Sequence, residues 1–250
     1  MNKTTFRLLV VADQTLEHRK QVFLDAFEML KKDYEVVEGL TLSYYFSFRS
    51  FEDVPWEDYW GDGKSLGIKL SWITKQNKKI KKQYGEEFHS VVYLVDKPNW
   101  KAVGIGGWNL GRFFSGMSVQ LTKGYFTTDS AHKVTSMEVA HCLNEQVYEE
   151  LGVRLKDVLK VKNWDYEVVH GEHPDYQKYY YKNAFVKIGD VLLRTFQKRE
   201  IRFTKQLEGK IMLLEKVLGL LRWIRRLKIQ LSSKASPVYD SEIEKVVDNN

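Results

Sequence analysis

The stretch KVTSMEVAHCLNEQVYEELG (133–152) places a carboxylate, Glu138, and an imidazole, His141, at a spacing that supports hydrolytic chemistry. On a helix, positions 137 and 141 lie one turn apart on one face. In the pattern H-E-x-x-H, that spacing sets two imidazoles on one zinc ion while the intervening Glu activates the metal-bound water. Here Met137 stands where the first imidazole would be. A thioether is soft and neutral, a poor replacement for imidazole on catalytic zinc. The pair E-x-x-H alone is weak, since it recurs at Glu86/His89 and Glu167/His170. Taken singly, the three residues also have plain readings. Met137 reads as gap-filling core, Glu138 as a solvent-facing helix charge, and His141 as a hydrogen-bonded core histidine.

The surrounding segments add to the motif. VVYLVDKPNWKAVGIGGWNLGRFFSGMSVQLTKG (91–124), then MEVAH, then NWDYEVVHG (163–171) make up roughly the central third of the chain. In that order they resemble a group of zincin-type metallopeptidase-like proteins. The resemblance implies an α+β fold: a zincin-like mixed sheet with an active-site-type helix, followed by a helical C-terminal region. It implies zinc as the cofactor, His141 and His170 as its ligands, and Glu138 as the general base. Gly107, Trp108 and Asn109 would belong to an edge segment lining the cleft for a peptide or protein. His173, in GEHPDY, is a nearby substitute for His170.

The departure falls on the first ligand. Catalytic zinc usually takes three protein ligands and keeps an open position. With Met137 the resemblance supplies two histidines, which implies weak, exchangeable zinc and a degenerate, weakly active or inactive peptidase. Two residues are candidates for the gap. His132 lies nine residues before His141, about 900° around a continuous helix, and so reaches only if the helix starts after it. Thr135-Ser136 as a capping pair would permit that start. Glu145 offers a carboxylate one turn beyond His141. Neither is a persuasive replacement.

The elements that must position these groups are legible in outline. TTFRLLVVA (4–12) reads as a first strand, and EHRKQVFLDAFEMLKKDY has helical apolar spacing at Val22, Phe23, Ala26, Phe27 and Leu30. TLSYYFSFRSF (41–51) alternates as a strand, and EDVPWEDYWGDG reads as a loop. SLGIKLSWITKQNKKIKKQYG reads as a helix with a solvated lysine face, HSVVYLVD (89–96) as a buried strand and MSVQLTKG (117–124) as another. From Asp129 onward helices dominate. GIGGWNLG lacks the lysine and the strand–turn–helix setting of a phosphate loop, so it reads as a tight bend. The three E-x-x-H pairs do not fall on facing long helices, which opposes a di-iron bundle. Cys142 on the apolar helix is a weak nucleophile candidate.

The net charge of +6 over 250 residues is unevenly placed. Residues 1–193 carry 26 basic and 26 acidic side chains, whereas residues 194–234 carry 12 and 3. A neutral main domain is not expected to bind nucleic acid. The single cysteine, and the lack of a signal-peptide core or an apolar run of spanning length, give a cytoplasmic expectation. The expected layout is a zincin-like domain (1–200), a basic amphipathic helix (201–231) and a flexible tail (232–250). Along residues 205–231 two apolar stripes lie side by side: Leu207, Ile211, Leu214, Leu218 and Leu221, then Leu213, Val217, Leu220, Ile224, Leu227 and Leu231. That face is too wide for a two-stranded seam. It suits packing on its own domain, a homo-oligomer, a protein partner or an anionic membrane surface, and docking or oligomerisation is the commoner use. The alternative to a hydrolase-like protein is therefore a non-catalytic binding or assembly protein that uses its cleft and this helix.

Overall fold

A computed structural model of the protein describes residues 3–51, 54–58, 66–85, 87–95, 127–171 and 180–234. In chain order the elements are β1 (Thr4–Asp13), α1 (Lys20–Tyr34), β2 (Leu40–Arg49), β3 (Trp56–Asp58), β4 (Leu66–Ile68), α2 (Leu70–Tyr84) and β5 (Ser90–Leu94). Then follow α3 (Thr128–Leu151), α4 (Leu155–Leu159), a π-helical turn (Trp164–Val169) and α5 (Tyr180–Lys234). The chain divides into two compact units, residues 1–201 and 202–250.

In the first unit β1 is the central strand of three, in the order β2-β1-β5, and both pairings are parallel. Parallel neighbours require a crossover between them, and α1 supplies the one from β1 to β2. The α+β expectation holds in its coarse form, strands and helices mixed early and helices dominant late. A mixed sheet was expected, however, and the described strands of this sheet are parallel throughout. Antiparallel pairing among the described residues is confined to β3 and β4, in register Trp56↔Ile68. That pair also corrects two boundaries. Part of the expected loop EDVPWEDYWGDG is strand, and α2 starts only at Leu70 because β4 occupies residues 66–68.

Side chains of β1 alternate between two cores, as a strand's period of two dictates. Phe6, Leu8, Val10 and Ala12 join the larger core with Phe27 of α1, Leu143 of α3 and Phe196 of α5. Leu9 and Val11 join the smaller core with Trp72, Ile73 and Ile80 of α2. β5 divides in the same way, with Val92 and Leu94 on one side and Val91 and Tyr93 on the other. The sheet is therefore covered on both faces, which explains why β1 reads as a continuous apolar run. The lysines of α2 at 75, 78, 79, 81 and 82 are exposed, as their spacing suggested.

In the second unit, residues 202–234 form the distal part of α5. The helix expected at 201–231 thus belongs to a helix that begins at Tyr180. Among the described residues no helix is long and apolar enough to cross a membrane.

Candidate functional site

Helix α3 carries the motif, and its sequence marks both ends. Thr127 is the N-cap in a reciprocal box, with Ser130 N donating to Thr127 Oγ1 (3.3 Å) and Thr127 N donating to Ser130 Oγ (2.9 Å). Gly152, with φ +70°, ends the helix in the left-handed conformation that glycine tolerates best. Val139, Leu143 and Val147 bind the helix to the larger core, and Gln146 Nε2 donates to His89 O at 3.2 Å, just ahead of β5. These contacts fix the flank on which His141 sits.

The partner of that flank is the segment NWDYEVVHG. Asn163 caps its turn, its Oδ1 accepting from Asp165 N (2.9 Å) and Tyr166 N (3.2 Å). Glu167 Oε1 accepts from Lys162 N and Asn163 N at 2.7 and 2.8 Å, so this carboxylate is used in the cap. Trp164 is buried, and its indole N–H donates to Ala140 O across 3.1 Å, tying the turn to α3 one residue before His141. Asp165, next in sequence, then reaches His141, with Oδ1 to Nδ1 at 2.7 Å. In an α-helix, residues 165 and 170 would point about 140° apart. Here His170 N donates to Asp165 O at 2.8 Å, an i to i+5 closure that brings both to one side. The rings of His141 and His170 lie 5.0 Å apart between centres, inclined by 55°.

His141 Nδ1 faces a carboxylate oxygen, which accepts, so Nδ1 is the donor, and in the neutral tautomer that this favours the lone pair lies on Nε2. A carboxylate behind an imidazole is also the usual arrangement around metal-binding histidines, where it fixes the tautomer and raises ligand basicity. Glu138 is buried, and its Oε2 has no hydrogen-bond partner among the described residues. Burial pushes its carboxyl up to about 7, opposed in part by attraction to His141. The reading of Glu138 as a solvent-facing charge is thereby corrected, since the α1 and sheet side and the π-turn side of α3 are both covered. Met137 is half-buried against the larger core, in keeping with a gap-filling role. Cys142 is buried and its thiol donates to Glu138 O at 3.3 Å, which leaves it no nucleophile's exposure.

Of the residues singled out from sequence, His141 and His170 are brought together and Glu138 lies one turn before His141. His132 is not part of the site. α3 begins at Thr128, so His132 lies inside the helix, where its Nε2 meets Asp33 Oδ2 at 2.6 Å. Glu145 is exposed and accepts from Asn144. His89 is structural: fully buried, stacked on Phe6 and Phe196, with Nδ1 accepting from Arg7 N at 3.0 Å. Gly107, Trp108, Asn109, the expected strand at 117–124 and His173 lie outside the described residues. Sequence reasoning missed Asp165 and Trp164. The one available sign was an acidic residue five positions before His170 in a segment opened by an Asn cap.

Whether this donor set suits zinc can be judged from its geometry. Two imidazoles on one tetrahedral ion, at about 2.1 Å per Zn–N bond, hold their ring centres roughly 5 Å apart. The pair His141/His170 fits that separation. Among the described residues no group of three or more His, Cys, Asp or Glu side chains is placed to hold one ion. The donor set among the described residues is thus two imidazoles, short of the three protein ligands usual for catalytic zinc.

No family model matches the chain, and no curated protein matches it. A solved structure described as "Structure of a chaperone-substrate complex" is similar with a TM-score of 0.37 and 10% identity over 57% of this chain. The match covers 26% of that structure's chain. A similarity of that level carries no functional argument.

Proposed function

We propose that this chain is a metallopeptidase-related protein, zincin-like in its site, whose metal centre is degenerate at the first ligand, Met137. It is weakly active or inactive as a peptidase. His141 and His170 form the surviving ion-binding pair, and Glu138 is the acid–base group. The observation that carries the reading is the pairing of His141 with His170, two residues 29 positions apart in sequence that the motif resemblance links and that stand 5.0 Å apart between ring centres. Glu138 supports it. A carboxyl pushed to about 7 is poised to exchange a proton near neutral pH, as a general base must be. Asp165 supports it as well, holding His141 in one tautomer.

A second reading, a binding protein that keeps the scaffold without chemistry, is favoured by a donor set of two imidazoles among the described residues. Zinc titration by calorimetry on chelator-stripped protein separates the two. The first reading expects weak zinc binding that His141→Ala or His170→Ala abolishes, and a large gain in Met137→His, since a third imidazole would complete the set. Unchanged affinity in Met137→His would show that residues 137 and 141 do not share a site and would overturn the first reading.

A further inference from the structure

The distal part of α5 has a physical character that the site does not explain. From Leu207 to Ile224 its large apolar side chains are exposed: Leu213 at 63%, Leu214 at 58%, Leu221 at 56% and Trp223 at 57%. At about 100° per residue, the apolar positions from Ile211 to Leu221 other than Met212 cover roughly half the helix circumference. Cations bracket this run. Lys205 and Lys210 precede it, and Arg222, Arg225, Arg226 and Lys228 follow it, with Trp223 among the arginines.

Charge decides what covers this face. Residues 202–228 hold eight basic and two acidic side chains, so copies of the helix packed together would bring like charges into contact with few carboxylates to pair them. A surface that accepts both the apolar arc and the cations must be apolar within and negative at its rim. An anionic lipid leaflet has that composition, and Lys and Arg at the two ends of the apolar run can extend their heads to the phosphates while their stems stay with the acyl chains. The helix does not qualify as a membrane span, so it lies along the surface.

We infer that residues 205–228 form an interfacial helix that binds anionic membrane surfaces, its apolar arc in the acyl boundary and its flanking arginines and lysines on lipid phosphates.

The test is co-sedimentation of the full-length protein with vesicles of equal parts phosphatidylcholine and phosphatidylserine, against vesicles of phosphatidylcholine alone. Sedimentation velocity without lipid is run beside it. Binding is expected to the anionic vesicles, to weaken as salt screens the leaflet, and to fall roughly 100-fold in Arg222→Gln/Arg225→Gln/Arg226→Gln, at on the order of 1 kcal/mol per basic side chain. Leu214→Asn/Leu218→Asn should abolish it with the circular-dichroism spectrum of the first unit retained. Equal binding to both vesicle types, or no binding to either, would overturn the inference. So would a concentration-dependent oligomer that the leucine variant dissolves, because the face would then be covered by further copies of the chain.

Discussion

Glu138 offers the sharpest test of the site's physical description. Its carboxyl moves from an ordinary 4.5 to about 7 on folding, chiefly because burial disfavours the charged form. Below the unfolded value both states hold the proton and the group is neutral toward stability. As pH rises from 4.5 through 7, the unfolded chain releases its proton first, so stability falls and the loss is complete above the folded value. A shift of that size corresponds to about 3 kcal/mol at 1.36 kcal/mol per unit. Glu138→Gln keeps the shape and cannot ionise. The stability gap between variant and wild type should therefore change by about 3 kcal/mol, in the variant's favour, between about pH 4 and about pH 8.5. Any fixed cost of burying the amide drops out of that change, and the other titrating groups contribute nearly equally to both proteins. Urea denaturation of chelator-treated protein across this range measures it. His141→Ala should push the Glu138 transition further upward, because His141 is the group that holds it down. A gap that stays flat with pH, or a wild type that gains stability through this window, would show that the carboxyl is solvated or paired.

Three further outcomes follow from particular contacts. Trp164→Phe removes the indole donor to Ala140 O, a carbonyl that keeps its helical bond, and trims a buried ring; a loss of about 1–3 kcal/mol in denaturant unfolding is expected, with faster amide exchange across residues 163–171. Asp165→Asn keeps the shape beside His141 but removes the acceptor-only partner, so nitrogen NMR of the imidazole should show the fixed Nδ1–H tautomer give way to a mixture. Gly152→Ala places a Cβ in open space at φ +70°, so only backbone strain acts; a loss of about 1 kcal/mol in denaturant unfolding is expected, and none would show that the helix end relaxes freely.

Much of the scaffold could be read locally. The alternating aromatic run 41–51 and the apolar run 4–12 became β2 and β1 because a strand's burial pattern is written in its own residues. The parallel order β2-β1-β5 was not legible, since pairing joins segments far apart and depends on the crossovers. Glu138 was misread for a related reason. α3 is packed on more than one side and buries Thr135, Ser136, Glu138, Gln146 and Glu150 beside its apolar residues, so its sequence shows no clean polar face. The π-turn was invisible because its closure depends on a tertiary bond, Trp164 to Ala140, that no local pattern announces. His170 is singled out through a motif resemblance, whereas no motif in the sequence points to Asp165, which meets His141 from the same turn.

The two halves of the site come from elements with different means of support. α3 is held by the larger core along much of its length, whereas the turn 164–169 rests on the side chains of Trp164, Val168 and Val169. The backbone that carries His141 is accordingly fixed whether or not the turn is docked, while His170, and Asp165 which orients the His141 ring, join it only when Trp164 is seated. An ion or ligand that touches both imidazoles binds the docked form alone, and by linkage it must stabilise that docking by the same free energy that docking contributes to its binding. Met137 sharpens the consequence. With no imidazole at 137 to anchor an ion on α3 by itself, affinity depends on the turn, so Trp164→Phe should weaken zinc binding although Trp164 offers no ligand atom. In Met137→His, where two ligands would sit on the rigid helix, the same Trp164 substitution should matter less. A Trp164 effect of equal size in both backgrounds would mean that the turn supplies nothing to the ion site.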